Sequence, residues 1–72
     1  MADRATKLLK TFGEAVRSER LERGLTQEQL AEKSGLSLNF VGNLERGEQM
    51  ASLESIVCVA EAMKLSGGEL LT

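Results

Sequence analysis

Between Thr26 and Gly47 the chain reads T-Q-E-Q-L-A-E-K-S-G-L-S-L-N-F-V-G-N-L-E-R-G, and this stretch constrains the fold more than any other. It describes two short helices joined by a tight turn. Thr26 supplies a side-chain acceptor just ahead of a helical run, and Gln29 follows three residues later, the pattern of a capping box. Gly35 stands where the run stops, at a position whose left-handed backbone glycine adopts at little cost. Ser37 can cap the second helix. Ala31 falls where the two helices cross closely, and Leu30, Leu36, Val41 and Leu44 close the space between them. These signals predict a helix-turn-helix over residues Gln27–Glu45.

The rest of the chain reads as further helices around that unit. A first helix begins near Ala5 or at Thr11, where T-F-G-E is another capping box, and ends at Gly24; residues 1–11 are then an extension of it. Leu8, Leu9, Phe12, Val16 and Leu21 recur along it at helical spacing. Ser52 caps a fourth helix over about 53–64, with Ile56, Val59, Ala60 and Met63 as its inner stripe. Ser66 and Glu69 form a last capping box, for a short fifth helix ending in Leu70 and Leu71. The expectation is one all-α domain, a compact five-helix bundle spanning residues 1–72.

Seventy-two residues bury only about 60% of the unfolded surface, so such a domain is marginal alone and commonly dimerises. The C-terminal third, 53–72, is the expected dimer surface, because Val57, Cys58, Leu65, Leu70 and Leu71 exceed what the inner stripe needs. No apolar run approaches the roughly 20 residues that span a bilayer. The start M-A-D-R-A-T-K lacks the apolar stretch of a secretory signal, and a single Cys suits a reducing cytoplasm. The expectation is therefore a cytoplasmic protein with no membrane partner.

In a helix-turn-helix the second helix lies in the major groove and its first residues meet the base edges. Here that helix reads S-L-N-F-V-G-N-L-E-R, with Val41 and Leu44 facing inward and Ser37, Leu38, Asn39, Phe40, Gly42, Asn43 and Arg46 facing outward. Asn39 and Asn43 are four apart and share a face. A carboxamide matches adenine N6 and N7 as a bidentate pair, which makes these two the expected base readers. Leu38 either meets a thymine methyl or packs on the preceding turn. Gly42 in mid-helix costs roughly 1 kcal/mol relative to Ala, which a close approach to a sugar-phosphate wall would justify. Gln27 opens the first helix of the motif, where free N–H groups favour a phosphate. Ser37, Arg46, Arg17 and Lys33 are further expected contacts to the DNA backbone; these set register and carry no sequence information.

The chain resembles the phage Cro- and repressor-like helix-turn-helix regulators of bacteria and their viruses, from about Phe12 to Leu71. The motifs that carry the resemblance are F-G-x-x-V-R at Phe12–Arg17, R-x-x-x-G-L-T-Q-E-Q-L-A at Arg20–Ala31 and G-L-S at Gly35–Ser37. They continue with L-E-R-G at Leu44–Gly47 and S-L-E-S-I-x-x-V-A-E-A-M at Ser52–Met63. The run N-F-V-G-N-L-E-R-G-E at Asn39–Glu48 looks most like small stand-alone regulators, among them the controller proteins of restriction–modification systems. The resemblance implies a lambda-repressor-like bundle, a DNA backbone contact by Gln27, and a partly buried ion pair between Arg20 and Glu45. Relatives often carry a small polar or basic phosphate contact where Phe40 stands, and controller-like ones can carry an aromatic, which leaves the DNA backbone or the neighbouring helix as its partner. Stand-alone relatives often pair through their last helices. The chain departs from the pattern at Ala51, where Pro is common, and at Lys64, where Gly often ends the fourth helix.

Without His there is no His base or ligand, and no nucleophile, metal cluster or phosphate-cradling loop is recognisable, so neither catalysis nor a cofactor is expected. Net charge is −2, from nine basic and eleven acidic residues, which weighs against strong non-specific DNA binding. The basic residues crowd the first third of the chain, and distribution matters more than the sum. Two readings follow. The first is a dimeric, sequence-specific transcription regulator on a palindromic operator, blocking or recruiting RNA polymerase. The second is a protein-interaction module on the same fold, such as an antitoxin or a regulatory subunit.

Overall fold

The computed structural model describes residues 2–67, with side chains from Arg4 to Lys64, as four helices in sequence: α1 (Ala2–Glu22), α2 (Gln27–Ser34), α3 (Leu38–Glu45) and α4 (Leu53–Gly67). The caps of the middle helices follow local chemistry. The Gln29 N–H donates to Thr26 Oγ1 at 3.0 Å and the Thr26 N–H donates to Gln29 Oε1 at 2.8 Å, so each residue satisfies the other's backbone. Gly35 stops α2 at φ 76°, and the Leu36 N–H returns to the Ala31 carbonyl at 3.0 Å. Ser37 Oγ accepts from the Phe40 N–H, and Ser52 Oγ from the Ser55 N–H at 3.1 Å.

Three expectations change. α1 starts at Ala2, upstream of both expected starts, and Thr11 lies inside it. Ala2–Lys10 holds no Gly or Pro, so continuing the helix satisfies backbone groups that a cap at Thr11 would satisfy only in part. α4 runs on through Ser66 to Gly67, so Ser66 continues a helix instead of capping one; the expected fifth helix otherwise lies outside the described residues. The apolar stripes are also narrower than expected. Leu8 (64% exposed) and Leu21 (52%) stand in solvent, roughly 100° around the helix from the line through buried Gly13, Val16 and Arg20. On α4, Ala60 is exposed and Ala62 is buried in its place, beside Val59 and Met63.

The core is aliphatic: Val16, Leu25, Leu30, Ala31, Val41, Leu44, Val59, Ala62 and Met63, with Phe12, Leu36, Phe40 and Ala51 packed around it. α2 packs on α3 and α4, while α1 packs on α3. That last contact is made backbone to backbone. A Cβ on Gly13 would lie 2.3 Å from the Leu44 carbonyl oxygen and 2.7 Å from that of Glu45, so only glycine lets α1 come this close to the end of α3.

Candidate nucleic-acid interface

The end of α3 is fixed by charge as well as by packing. Arg20 and Glu45 are each 6% exposed. Arg20 Nε donates to Glu45 Oε2 at 2.6 Å and Nη2 donates to Oε1 at 3.0 Å, a bidentate pair, while Nη1 donates to the Leu25 carbonyl at 2.8 Å. Gln27 Nε2 donates to the same Glu45 Oε1 at 3.0 Å. The Glu45 carboxylate therefore ties α1 and the first residue of α2 to the end of α3, and Arg20 extends the link to the α1–α2 turn at Leu25. The bidentate geometry, with the added bonds to the Leu25 carbonyl and from Gln27, offsets the desolvation of the two charges.

α3 turns Val41, Leu44 and Glu45 inward and leaves Leu38 (46% exposed) and Asn39 outward, with Asn43 half-buried and Arg46 exposed just after the helix. Asn39 makes no hydrogen bond among the described residues. Asn43 does: its Oδ1 accepts from Arg46 Nη2, while Arg46 Nε donates to Glu48 Oε1 at 3.2 Å. Ser37 is exposed, and its hydroxyl keeps a proton to donate while accepting from Phe40.

Two outward positions are corrected. Gly42 is buried, because Arg46 and Gln27 fold over it; a Cβ there would lie 3.3 Å from Arg46 Nη1 and 3.8 Å from Gln27 Oε1. Phe40 is half-buried instead of outward: its ring packs against the core, in keeping with the second of its two expected partners, and its N–H is committed to Ser37. Gln27 has one amide hydrogen committed to Glu45, but at the first position of α2 its backbone N–H has no intrahelical acceptor. Arg17 and Lys33 are exposed and make no hydrogen bond with the α3 face among the described residues. The cluster of Asn43, Arg46 and Glu48 escapes a reading that sorts residues into inward and outward. The three-residue spacing of Asn43 and Arg46 is the signal that could have found it.

Away from this face, Val57 is 45% exposed on α4 and Cys58 is half-buried; the side chains of Leu65, Leu70 and Leu71 lie outside the described residues. Among the described residues no helix is long and apolar enough to cross a membrane.

A family model described as Helix-turn-helix matches residues 16–70. The chain is 44% identical over 61 residues to control protein C.SmaI of Serratia marcescens, an alignment covering 85% of this chain and 73% of that protein. It is 42% identical over 53 residues to the immunity repressor protein of Bacillus phage phi105, covering 74% of this chain and 37% of that protein. Among solved structures, the restriction-modification controller protein C.AhdI from Aeromonas hydrophila superposes with a TM-score of 0.77 at 43% identity, over 78% of this chain and 85% of that one.

Proposed function

This chain belongs to the helix-turn-helix family, and from that premise we propose that it is a DNA-binding transcription regulator working as a homodimer on a palindromic operator. The observation that carries the reading is the exposed face of α3, where Asn39, Asn43 and Arg46 project from a helix locked in place by the buried Arg20–Glu45 pair. Its similarity to control protein C.SmaI, to the restriction-modification controller protein C.AhdI and to a phage immunity repressor supports the regulatory role. In this reading Asn39, Asn43 and Leu38 meet base edges. Gln27, Ser37 and Arg46 meet phosphates, with Arg17 and Lys33 as weaker contacts to the DNA backbone.

A single copy covers one half-site. Two copies about a two-fold axis would set their α3 helices about 34 Å apart in successive major grooves. Exposed Val57 supports pairing through α4 and the segment after it, residues 53–72. Such a protein would act in the cytoplasm by occluding a promoter or by recruiting RNA polymerase to it.

The net charge of −2, with Arg20 and Arg46 both paired to carboxylates, favours a second reading in which the fold is a docking surface for another protein. Selection from a random duplex pool at about 0.15 M salt, where weak surface attraction is screened, separates the two. The expected result is an enriched palindrome with half-sites one helical turn apart. Asn39→Ala and Asn43→Ala should each lose preference at their own base. A folded protein that enriches nothing would refute the regulator and turn the search toward a protein partner.

A further inference from the structure

The helix-turn-helix itself carries the wrong charge for holding DNA. Across residues 27–48 two cations, Lys33 and Arg46, stand against four carboxylates, and Arg46 is engaged by Glu48. Across residues 4–17 the balance reverses: Arg4, Lys7, Lys10 and Arg17 accompany a single carboxylate, Glu14. Phosphate neutralisation supplies essentially all sequence-independent affinity, and α1 is where this chain can supply it. Two glycines bring that part of α1 against the end of α3. Gly13 meets the Leu44 and Glu45 carbonyls, as described above. Gly47, one residue beyond Arg46, lies so close to α1 that a Cβ on it would stand 2.7 Å from Lys10 Cγ and 2.9 Å from Lys10 Cα. Lys10 is therefore held beside the point where the chain leaves α3.

The helical phase of α1 decides which of its cations share that place. At 100° per residue, Gly13 comes about 60° round from buried Val16, and Arg17 and Lys10 come about 100–120° round. The order around the helix is core, α3, then these two cations. They flank the end of α3 on the side away from the core, and α3 likewise turns Asn39, Asn43 and Arg46 away from Val41 and Leu44. Lys10 and Arg17 are exposed, and neither they nor Glu14 make a hydrogen bond or ion pair among the described residues. We propose that Lys10 and Arg17 form a phosphate clamp on α1 that supplies the sequence-independent part of DNA binding, while α3 supplies the sequence reading. The ligand is the DNA backbone beside the groove that α3 enters. Both cations reach it without first giving up a carboxylate, which Arg46 must do.

This assignment rests on the DNA-reading function above, and its test separates the two. Duplex selection with wild type first identifies the operator. Anisotropy titrations of that operator and of a scrambled duplex, from about 0.05 to 0.2 M salt, then compare wild type with Lys10→Gln, Arg17→Gln, the double variant and Arg4→Gln. Arg4 is the control: it is exposed on the same helix, but lies more than 100° round from both clamp residues. Glutamine is a good helix former and the replaced side chains are exposed and unpaired, so all four variants should melt close to wild type. Lys10→Gln and Arg17→Gln should each lower the slope of log affinity against log salt by about 0.9, on both duplexes alike. The deficit of the double variant should therefore shrink about tenfold across that salt range, and Arg4→Gln should leave the slope near wild type. A slope unchanged in the double variant, a loss confined to the operator, or an equal effect of Arg4→Gln would each overturn the clamp, and the operator would still stand as evidence of DNA reading. If wild type enriches no sequence, the DNA-reading function falls, and this assignment with it.

Discussion

The C-terminal end of α3 meets the same chemistry twice, in opposite surroundings. Arg20 and Glu45 form a buried arginine–carboxylate pair joined by the half-buried amide of Gln27, and Arg46 and Glu48 form an exposed pair joined by the half-buried amide of Asn43. In the first, both charges are 6% exposed and every bond is geometrically committed. In the second, the side chains of Arg46 and Glu48 are 56% and 61% exposed, so water competes for each contact. Burial turns three polar groups into a fixed joint between helices. Exposure leaves the same groups able to exchange partners, which is what contact with a ligand requires.

The largest expected effect breaks the buried set. Glu45→Ala leaves the Arg20 guanidinium buried with only the Leu25 carbonyl to receive it, and should cost about 3–5 kcal/mol in urea unfolding. On a domain whose whole stability is on the order of 5–10 kcal/mol, that brings the folded state close to its limit. The paired replacement Arg20→Met with Glu45→Leu should recover most of the loss, since a matched apolar pair leaves no orphan charge. A loss under about 1 kcal/mol for Glu45→Ala, the size of an exposed pair, would erase the distinction between the two sets.

A smaller effect sharpens the comparison by perturbing the joint without touching its charges. Gly13→Ala forces a methyl group against two backbone carbonyls at the α1–α3 crossing, and these cannot rotate away as a side chain could. The expected cost is about 2–3 kcal/mol by thermal or urea unfolding, at the upper end for overpacking a filled site. A neutral result would mean that α1 can lift from α3 freely, and that the buried ion pair does not set their spacing.

What could be read from the sequence divides along the same line between local and distant partners. Thr26 with Gln29, Gly35 and Ser37 each act within a few residues, so the boundaries of α2 and α3 follow from the chain alone. The start of α1 and the faces of α1 and α4 do not. Leu8 and Leu21 have helical spacing, but whether a leucine is covered depends on which neighbour lies opposite, and nothing in the local pattern supplies that neighbour. Gly13 is silent for the same reason, because the carbonyls it accommodates belong to residues 31 and 32 positions further on. On the candidate site, a helical wheel correctly turns Asn39 outward. It fails at Gly42 and Phe40 because it has no place for an arginine folding back over its own helix, or for an aromatic ring bending toward the core.

The smallest effect on stability belongs to the exposed set, and there the informative readout is binding. Glu48→Gln keeps an acceptor for Arg46 Nε and removes one negative charge, so unfolding should shift by less than about 0.5 kcal/mol. Toward DNA the consequence is larger. The Glu48 carboxylate competes with any phosphate for Arg46, and it repels the backbone that Arg46 would approach. Without that charge, affinity should rise several-fold on every duplex alike, specific or not, and the gain should shrink as salt is raised from about 0.05 to 0.2 M. Anisotropy titrations of a labelled operator and of a scrambled duplex at the two salt concentrations measure both terms. A gain confined to the operator would place Glu48 among the base-reading groups. No gain at either salt would mean that Arg46 stays on its own helix when DNA is bound and never reaches a phosphate. The carboxylate would then be a support for the arginine, and the contrast with Glu45 would be one of burial alone.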